Sequence, residues 1–91
     1  MGRTMMSIDI LYIGRPSEFL LMTSEQMDVP QAAPTLQHVL CRLRERGARW
    51  AYELDERHVI CTVNRTPATL SYRLKEGDEI GIHSSKSIFE R

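Results

Sequence analysis

One amphipathic pattern constrains the fold of this chain most. Apolar residues recur at i, i+3, i+4 and i+7, the spacing of one face of an α-helix: Leu36, Val39, Leu40 and Leu43. Thr35 precedes them as a helix N-cap, and Gly47 follows as a C-terminal stop. A chain of 91 residues forms one domain with at most one compact core. The sequence therefore predicts a single main helix, with strands supplying the rest of the core.

Strand patterns lie on both sides of this helix. Residues 7–13 alternate imperfectly between apolar and polar, which suits a central strand that ends at Gly14 and Pro16. Residues 18–29 predict a second strand of uncertain register, which pairs antiparallel with the first through the short turn between them.

Two further strands are predicted after the helix. Residues 58–64 are rich in β-branched side chains and predict another central strand. Residues 66–72 predict a short irregular connection, and a turn at Gly77 leads into a last strand at residues 79–82. The predicted order is β-β-α-β-(short)-β.

Charge and hydropathy exclude several kinds of partner. The formal net charge is zero, so the chain lacks the positive potential that drives binding to phosphate backbones. No apolar run approaches the roughly 20 residues of a membrane span, and the first six residues lack the apolar region of a signal peptide. We expect a cytoplasmic protein with no nucleic-acid or membrane partner.

The reactive residue types form no recognisable motif. Cys41 and Cys61 match no metal-binding spacing, and we expect both to be small buried hydrophobic residues; a reactive thiol is the alternative. His38, His58 and His83 lie on different predicted elements, and no nucleophile stands beside a base. The sequence predicts no catalytic residue, no metal site and no cofactor.

The end of the helix is basic and is followed by aromatic residues. The arginines either dock an acidic partner or form a solvated face near the negative end of the helix dipole; they are Arg42, Arg44, Arg46 and Arg49. Residues 49–54 contain Trp50 and Tyr52 and predict a turn or short helix that covers one end of the core. An aromatic ligand site is the alternative.

Four local segments form a recognisable combination: the opening strand before Gly14, residues 49–54, the strand end Thr62-Val63-Asn64-Arg65, and the turn Leu74-Lys75-Glu76-Gly77-Asp78-Glu79-Ile80. Together they resemble the MoaD family, the small subunit of molybdopterin synthase, and more distantly its ThiS relatives. The resemblance implies an α+β fold, the ubiquitin-like β-grasp, in which a mixed sheet of four to five strands carries one main helix on one face. It implies a single domain at residues 7–83, a flexible leader at 1–6 and a C-terminal tail at 84–91.

The resemblance also implies a function. Members of that family end in Gly-Gly, whose terminal carboxylate is adenylated by an E1-like enzyme and becomes a thiocarboxylate, the sulfur donor for molybdopterin. Counted without a gap from Gly77, that pair falls on Ile88 and Phe89 here, and the 91 residues contain no Gly-Gly. We therefore expect a non-catalytic protein-binding module related to molybdenum-cofactor biosynthesis and sulfur transfer. The alternative is an active sulfur carrier that uses the terminal carboxylate of Arg91.

Five residues are predicted to bind a partner. Ile13, Pro67 and His83 correspond to the partner-binding face of the family. Ile88 and Phe89 join them because burying two large apolar side chains is worth about 3–6 kcal/mol, and we expect them to pack on this domain, in a partner groove or on a sheet edge. The expected partner is a large subunit of molybdopterin synthase, an E1-like enzyme, or a second copy of the chain joined through the tail. Two cysteines exclude the four-thiolate cluster of a ferredoxin.

Overall fold

The computed structural model describes residues 4–32 and 34–85. The strands form one sheet in the order β2-β1-β5-β3-β4, in which β1 and β5 are parallel and the other neighbours are antiparallel. The predicted α+β fold with a mixed sheet is confirmed. The elements are β1 (Met5–Tyr12), α1 (Arg15–Leu20), β2 (Ser24–Pro30), α2 (Leu36–Arg44), α3 (Ala48–Glu53), β3 (Val59–Val63), β4 (Thr66–Pro67) and β5 (Glu79–Ser84).

The predicted main helix is α2, and its apolar face is fully buried. Its four apolar residues join a core with alternate residues of the sheet, including Ile8, Ile10, Ile80 and Ile82. Thr35 caps the helix, because its Oγ1 accepts a hydrogen bond from the backbone N–H of His38 at 3.2 Å. The helix ends at Arg44, earlier than predicted, and Gly47 instead precedes α3 with a φ of 151°. The helix therefore covers one face of the sheet and leaves the other face open.

The first connection differs from the prediction. The region from residue 18 to 20 belongs to helix α1, and the second strand begins only at Ser24. Pro16 favours the first turn of a helix, and Arg15 Nε donates to Glu53 Oε1 at 3.0 Å, which fastens α1 to α3. The predicted antiparallel pairing of the first two strands is confirmed, with Ile8 opposite Met27.

The sheet begins earlier and ends later than the sequence suggests. Strand β1 starts at Met5, and Met6 is 3% exposed in the core, so both residues are part of the sheet. Strand β5 extends to Ser84, and β4 occupies part of the connection predicted to be irregular. Strand β1 begins this early because its alternate residues, Met6 included, contribute side chains to the core under α2.

A side-chain network fixes β5 in the sheet. Asn64 Nδ2 donates to Asp78 Oδ1 at 2.9 Å, and Asn64 Oδ1 accepts the Glu79 N–H at 3.0 Å. Asp78 is buried, and its Oδ2 accepts the Lys75 N–H at 2.8 Å. These hydrogen bonds connect the turn after β3 to the turn before β5, and this side-chain network is called the lock here.

The two turns of this lock need unusual backbone angles. Asn64 and Arg65 have φ values of 51° and 69°, as expected for a two-residue hairpin turn that follows the twist of its strands. Gly77 has a φ of 82°, and its N–H donates to the Ser7 carbonyl at 2.8 Å.

Among the described residues, no helix combines the length and apolar character needed to cross a membrane.

Candidate protein-binding face

The sheet face opposite α2 is called the open face here. Its central row runs across four strands, with Leu11 beside Gly81, Gly81 beside Thr62 and Thr62 beside Pro67. A second row pairs His83 with Ile60. Residues that lie opposite each other in paired strands point to the same side of a sheet. The open face is therefore continuous from β1 to β4.

Three of the residues predicted to bind a partner lie together on this face. Ile13 follows β1 and is 41% exposed, and Pro67 is exposed on β4. His83 lies between them on β5 and is half-buried. That they bind a partner stays a prediction, as does the role of the remaining predicted residues, Ile88, Phe89 and the alternative Arg91, which lie outside the described residues.

The sequence interpretation missed an exposed isoleucine of the open face. Ile60 is 51% exposed and stands in the middle of a β-branched run that looks uniformly buried. The alternation within β3 contains the signal, because Cys61 and Val63 lie in the core and every second residue of a strand points the other way. Thr62 and Ile60 are thereby directed outward.

A hollow lies at the centre of the open face, above Gly81. A Cβ built on this glycine would collide with Thr62 Oγ1, lie 3.2 Å from His83 Nε2 and lie 3.6 Å from Ile13 Cδ1. The hollow has a volume of about 300 Å³. It is lined by Leu11, Ile13, Thr62, Arg65, Glu79, Gly81 and His83. The glycine is therefore the floor of a depression whose walls are mainly apolar.

Charged side chains border one end of the hollow. Asp9 and Glu79 are neighbours on β1 and β5, and Asp28 lies further along the same face, opposite Ser7. Arg65 Nε lies 3.8 Å from Glu79 Oε1, and the Arg65 side chain is 90% exposed whereas that of Glu79 is 35% exposed. An exposed ion pair at this distance is weak.

The arginines near the end of α2 are already bonded within the fold. Arg46 makes two hydrogen bonds to the Glu25 carboxylate, at 2.7 and 2.8 Å, and its guanidinium stacks 4.7 Å from the centre of the Trp50 ring. The others donate to backbone carbonyls: Arg42 to Asp28, Arg44 to Leu54 and Arg49 to Phe19. These bonds favour the interpretation of the basic cluster as part of the fold over a docking site for an acidic partner.

The segment with Trp50 has the predicted covering role. Residues 48–53 form the short helix α3, and the Trp50 ring packs edge-on against Tyr12 with ring centres 5.7 Å apart. Tyr12 Oη donates to Glu25 at 2.6 Å. Burial and the neighbouring carboxylate raise the pKa of Tyr12 well above its usual value.

The two cysteines differ in their surroundings. Cys61 is buried as expected, and burial raises the pKa of its thiol to about 11. Cys41 is exposed, which contradicts the expectation that both are buried. It lies on the outward side of α2, where Arg44 Nη2 is 3.3 Å from its Sγ. Within the described ranges, no group of three or more His, Cys, Asp or Glu side chains is placed to hold a metal ion.

Most of this chain matches a known protein family. The model of the ThiS family matches residues 10–82, which includes β2, the three helices and most of the open face. The chain belongs to the ThiS family. The predicted resemblance is thereby confirmed, and His83 lies one residue beyond the matched region. No curated protein sequence matches the chain.

Solved structures give the fold of this ThiS family member. The solution structure of the Haloferax volcanii HVO 2177 protein has a TM-score of 0.79 at 19% identity, covering 96% of this chain and 90% of that one. SAMP1 from Haloferax volcanii has a TM-score of 0.76 at 18% identity, covering 89% and 97%. A putative molybdopterin converting factor, subunit 1, from Pyrococcus furiosus has a TM-score of 0.72 at 19% identity, covering 85% and 94%. The fold is the ubiquitin-like β-grasp, as predicted.

Proposed function

We propose that this ThiS family member is a non-catalytic protein-binding module that docks its partner on the open face. The observation that carries the proposal is the pair of exposed isoleucines, Ile13 and Ile60, on either side of the Gly81 hollow. The partner is an E1-like activating enzyme or a large subunit of molybdopterin synthase. Both expectations come from the family resemblance, and the similarity to the putative molybdopterin converting factor, subunit 1, of Pyrococcus furiosus supports the second.

The two exposed isoleucines contribute to binding when a partner covers them. Burying a whole isoleucine side chain stabilises by about 1.5–3 kcal/mol, and about half of each residue still faces solvent. A docked partner that covers both therefore gains on the order of 2 kcal/mol from them. Residues of this kind at the centre of an interface are the ones whose replacement weakens binding most.

The test compares three variants, each of which replaces one exposed apolar residue with glutamate. Ile60→Glu and Ile13→Glu each place a carboxylate on the open face, whereas Leu21→Glu makes the same kind of change at a residue that is 82% exposed and outside that face. Binding to the E1-like enzyme and to the large synthase subunit of the same organism is measured by isothermal titration calorimetry. We expect both open-face variants to lose at least about tenfold in affinity, while Leu21→Glu binds like the wild type. Equal binding by all three variants refutes the proposal.

An active sulfur carrier is the second candidate, and membership of the ThiS family favours it. In this mechanism ATP adenylates a terminal carboxylate with release of pyrophosphate, and a sulfur donor then displaces AMP to leave a thiocarboxylate. The acceptor is the carboxylate of Arg91, outside the described residues. Intact-mass spectrometry after incubation with the E1-like enzyme, ATP and a sulfur source detects the exchange of oxygen for sulfur. Absence of any adenylate or thiocarboxylate refutes this candidate and leaves the binding proposal standing.

A further inference from the structure

We propose that the Gly81 hollow is a socket for one apolar side chain of the partner, and that a basic side chain of the same segment pairs with Asp9 and Glu79. This inference rests on the proposed function, because it names the chemistry of the segment that docks on the open face. It makes Thr62 a specificity-determining residue.

The position of the glycine supports the socket. Gly81 stands in β5 between β1 and β3, and a glycine inside a strand weakens it and often marks close approach by another group. The hollow of about 300 Å³ corresponds to roughly ten water molecules at about 30 Å³ each. Leu11, Ile13 and Thr62 form its walls. One apolar side chain enters this space and displaces part of this water from apolar surface, which is favourable.

The socket is also sensitive to size. Thr62 Oγ1 already occupies the place that an alanine Cβ at position 81 would take, so the side chain of residue 62 limits the depth of the hollow. Thr62 is β-branched and has few alternative rotamers. A larger side chain at position 62 therefore reduces the space that is open to a partner.

The charges next to the socket select the second side chain. Asp9 and Glu79 lie two residues back along their strands from Leu11 and Gly81, a distance of about 7 Å. Of the salt bridges within residues 4–32 and 34–85, none involves Asp9. Among the same residues, the salt bridge of Glu79 is the long 3.8 Å pair with the exposed Arg65. A lysine or arginine of the partner is attracted to this end of the face.

The face as a whole has the same sign. Among the described residues that point to it, the carboxylates of Asp9, Asp28 and Glu79 stand against the guanidinium of Arg65, three negative charges less one positive charge, or a net charge of minus two. A second copy of this chain would bring like charges together, which disfavours a symmetric dimer through this face. The fitting partner segment carries an apolar and a basic residue about 7 Å apart, which are i and i+2 in a strand or i and i+4 in a helix.

The test uses a phage-displayed library of random dodecapeptides selected on the wild-type protein. Selected peptides are synthesised and their affinities measured by fluorescence polarisation. Peptides that bind the open face are recognised by their loss of affinity for Ile60→Glu. Thr62→Ala enlarges the socket, whereas Thr62→Phe directs a ring into it from a strand position where aromatic residues are favoured, so this pair isolates the socket from folding defects. Asp9→Asn removes one charge at the socket, and Glu56→Gln removes one at an exposed residue of the loop before β3.

Open-face peptides should share an apolar and a basic residue at the stated spacing. We also expect their affinity for Thr62→Phe, in which the socket is filled, to be at least tenfold lower than for Thr62→Ala. Asp9→Asn should lower their affinity severalfold, and Glu56→Gln should not. Open-face peptides without a basic residue, or with equal affinity for both socket variants, overturn the inference and leave the proposed function standing. If no selected peptide loses affinity for Ile60→Glu, the proposed function and this inference both fail.

Discussion

Replacing Asn64 with glycine tests the lock that holds β5 in the sheet. The change removes the 2.9 Å bond to the Asp78 carboxylate and the 3.0 Å bond from the Glu79 N–H, while glycine adopts the φ of 51° freely. A hydrogen bond to a charged group is worth about 1.5–3 kcal/mol and a neutral one about 0.5–1.5 kcal/mol. We expect a loss of about 2–4 kcal/mol in the free energy of unfolding. A domain of this size has a total of only about 5–14 kcal/mol.

The matched control is Arg65→Gly, the next residue of the same turn. Arg65 also has a positive φ, but its side chain is exposed and makes one ion pair at 3.8 Å, worth about 0–1 kcal/mol. A third variant, Asn64→Asp, keeps the side-chain size but places a carboxylate against Asp78. It should be less stable than Asn64→Gly at neutral pH, because like charges repel within a buried network.

The assay is urea denaturation followed by the fluorescence of Trp50, the only tryptophan, which packs against Tyr12 in the core region. The slope of the free energy against urea concentration should stay the same in all variants if only stability changes. If Asn64→Gly loses less than about 1 kcal/mol more than Arg65→Gly, the two hydrogen bonds are not what holds β5, and the reasoning is refuted.

Three further predictions concern single residues. Hydrogen bonds from Arg46 hold the pKa of Glu25 below its usual value; the stabilisation is therefore present above the unfolded pKa of about 4.3 and is lost as pH falls through the lower, folded pKa. Glu25→Gln should cost about 1–2 kcal/mol at pH 7 by urea denaturation and less at pH 2–3; an equal cost at both pH values would contradict this. Leu21 is exposed with a φ of 56°, so Leu21→Gly should raise the free energy of unfolding by about 0.5–1 kcal/mol, and a loss of stability would show that its side chain packs. At pH 8 a disulfide reagent should modify Cys41 at least about a hundredfold faster than buried Cys61, whose thiol pKa is near 11, and equal rates would show that the core opens readily.

Much of the fold was readable from the sequence because it is written in local spacing. The helix α2 follows from four apolar residues and a cap, and the alternation in β1 and β3 predicts which side chains are buried. The region from residue 18 to 20 was misread because a short apolar run is compatible with either a strand or a helix. The deciding contact, from Arg15 to Glu53, spans a sequence separation that no local pattern contains.

The candidate site was readable only in part. Ile13, Pro67 and His83 were placed on the binding face by resemblance, whereas Ile60 and the Gly81 hollow were missed. The role of a glycine in a strand can be inferred only when the residues beside it on the two neighbouring strands are known. Those neighbours, Leu11 on one side and Thr62 on the other, come from strands that are far apart in sequence.

The sequence by itself determined the class of fold, the family, and which side of each element is apolar, because these depend on residue type and on spacing along one element. The tertiary structure alone decided that β5 lies parallel to β1 and antiparallel to β3, and therefore that an isoleucine, a glycine and two carboxylates share one face. Strand register is set by hydrogen bonds between distant segments and by the fit of side chains into a common core. The open face is a product of that register.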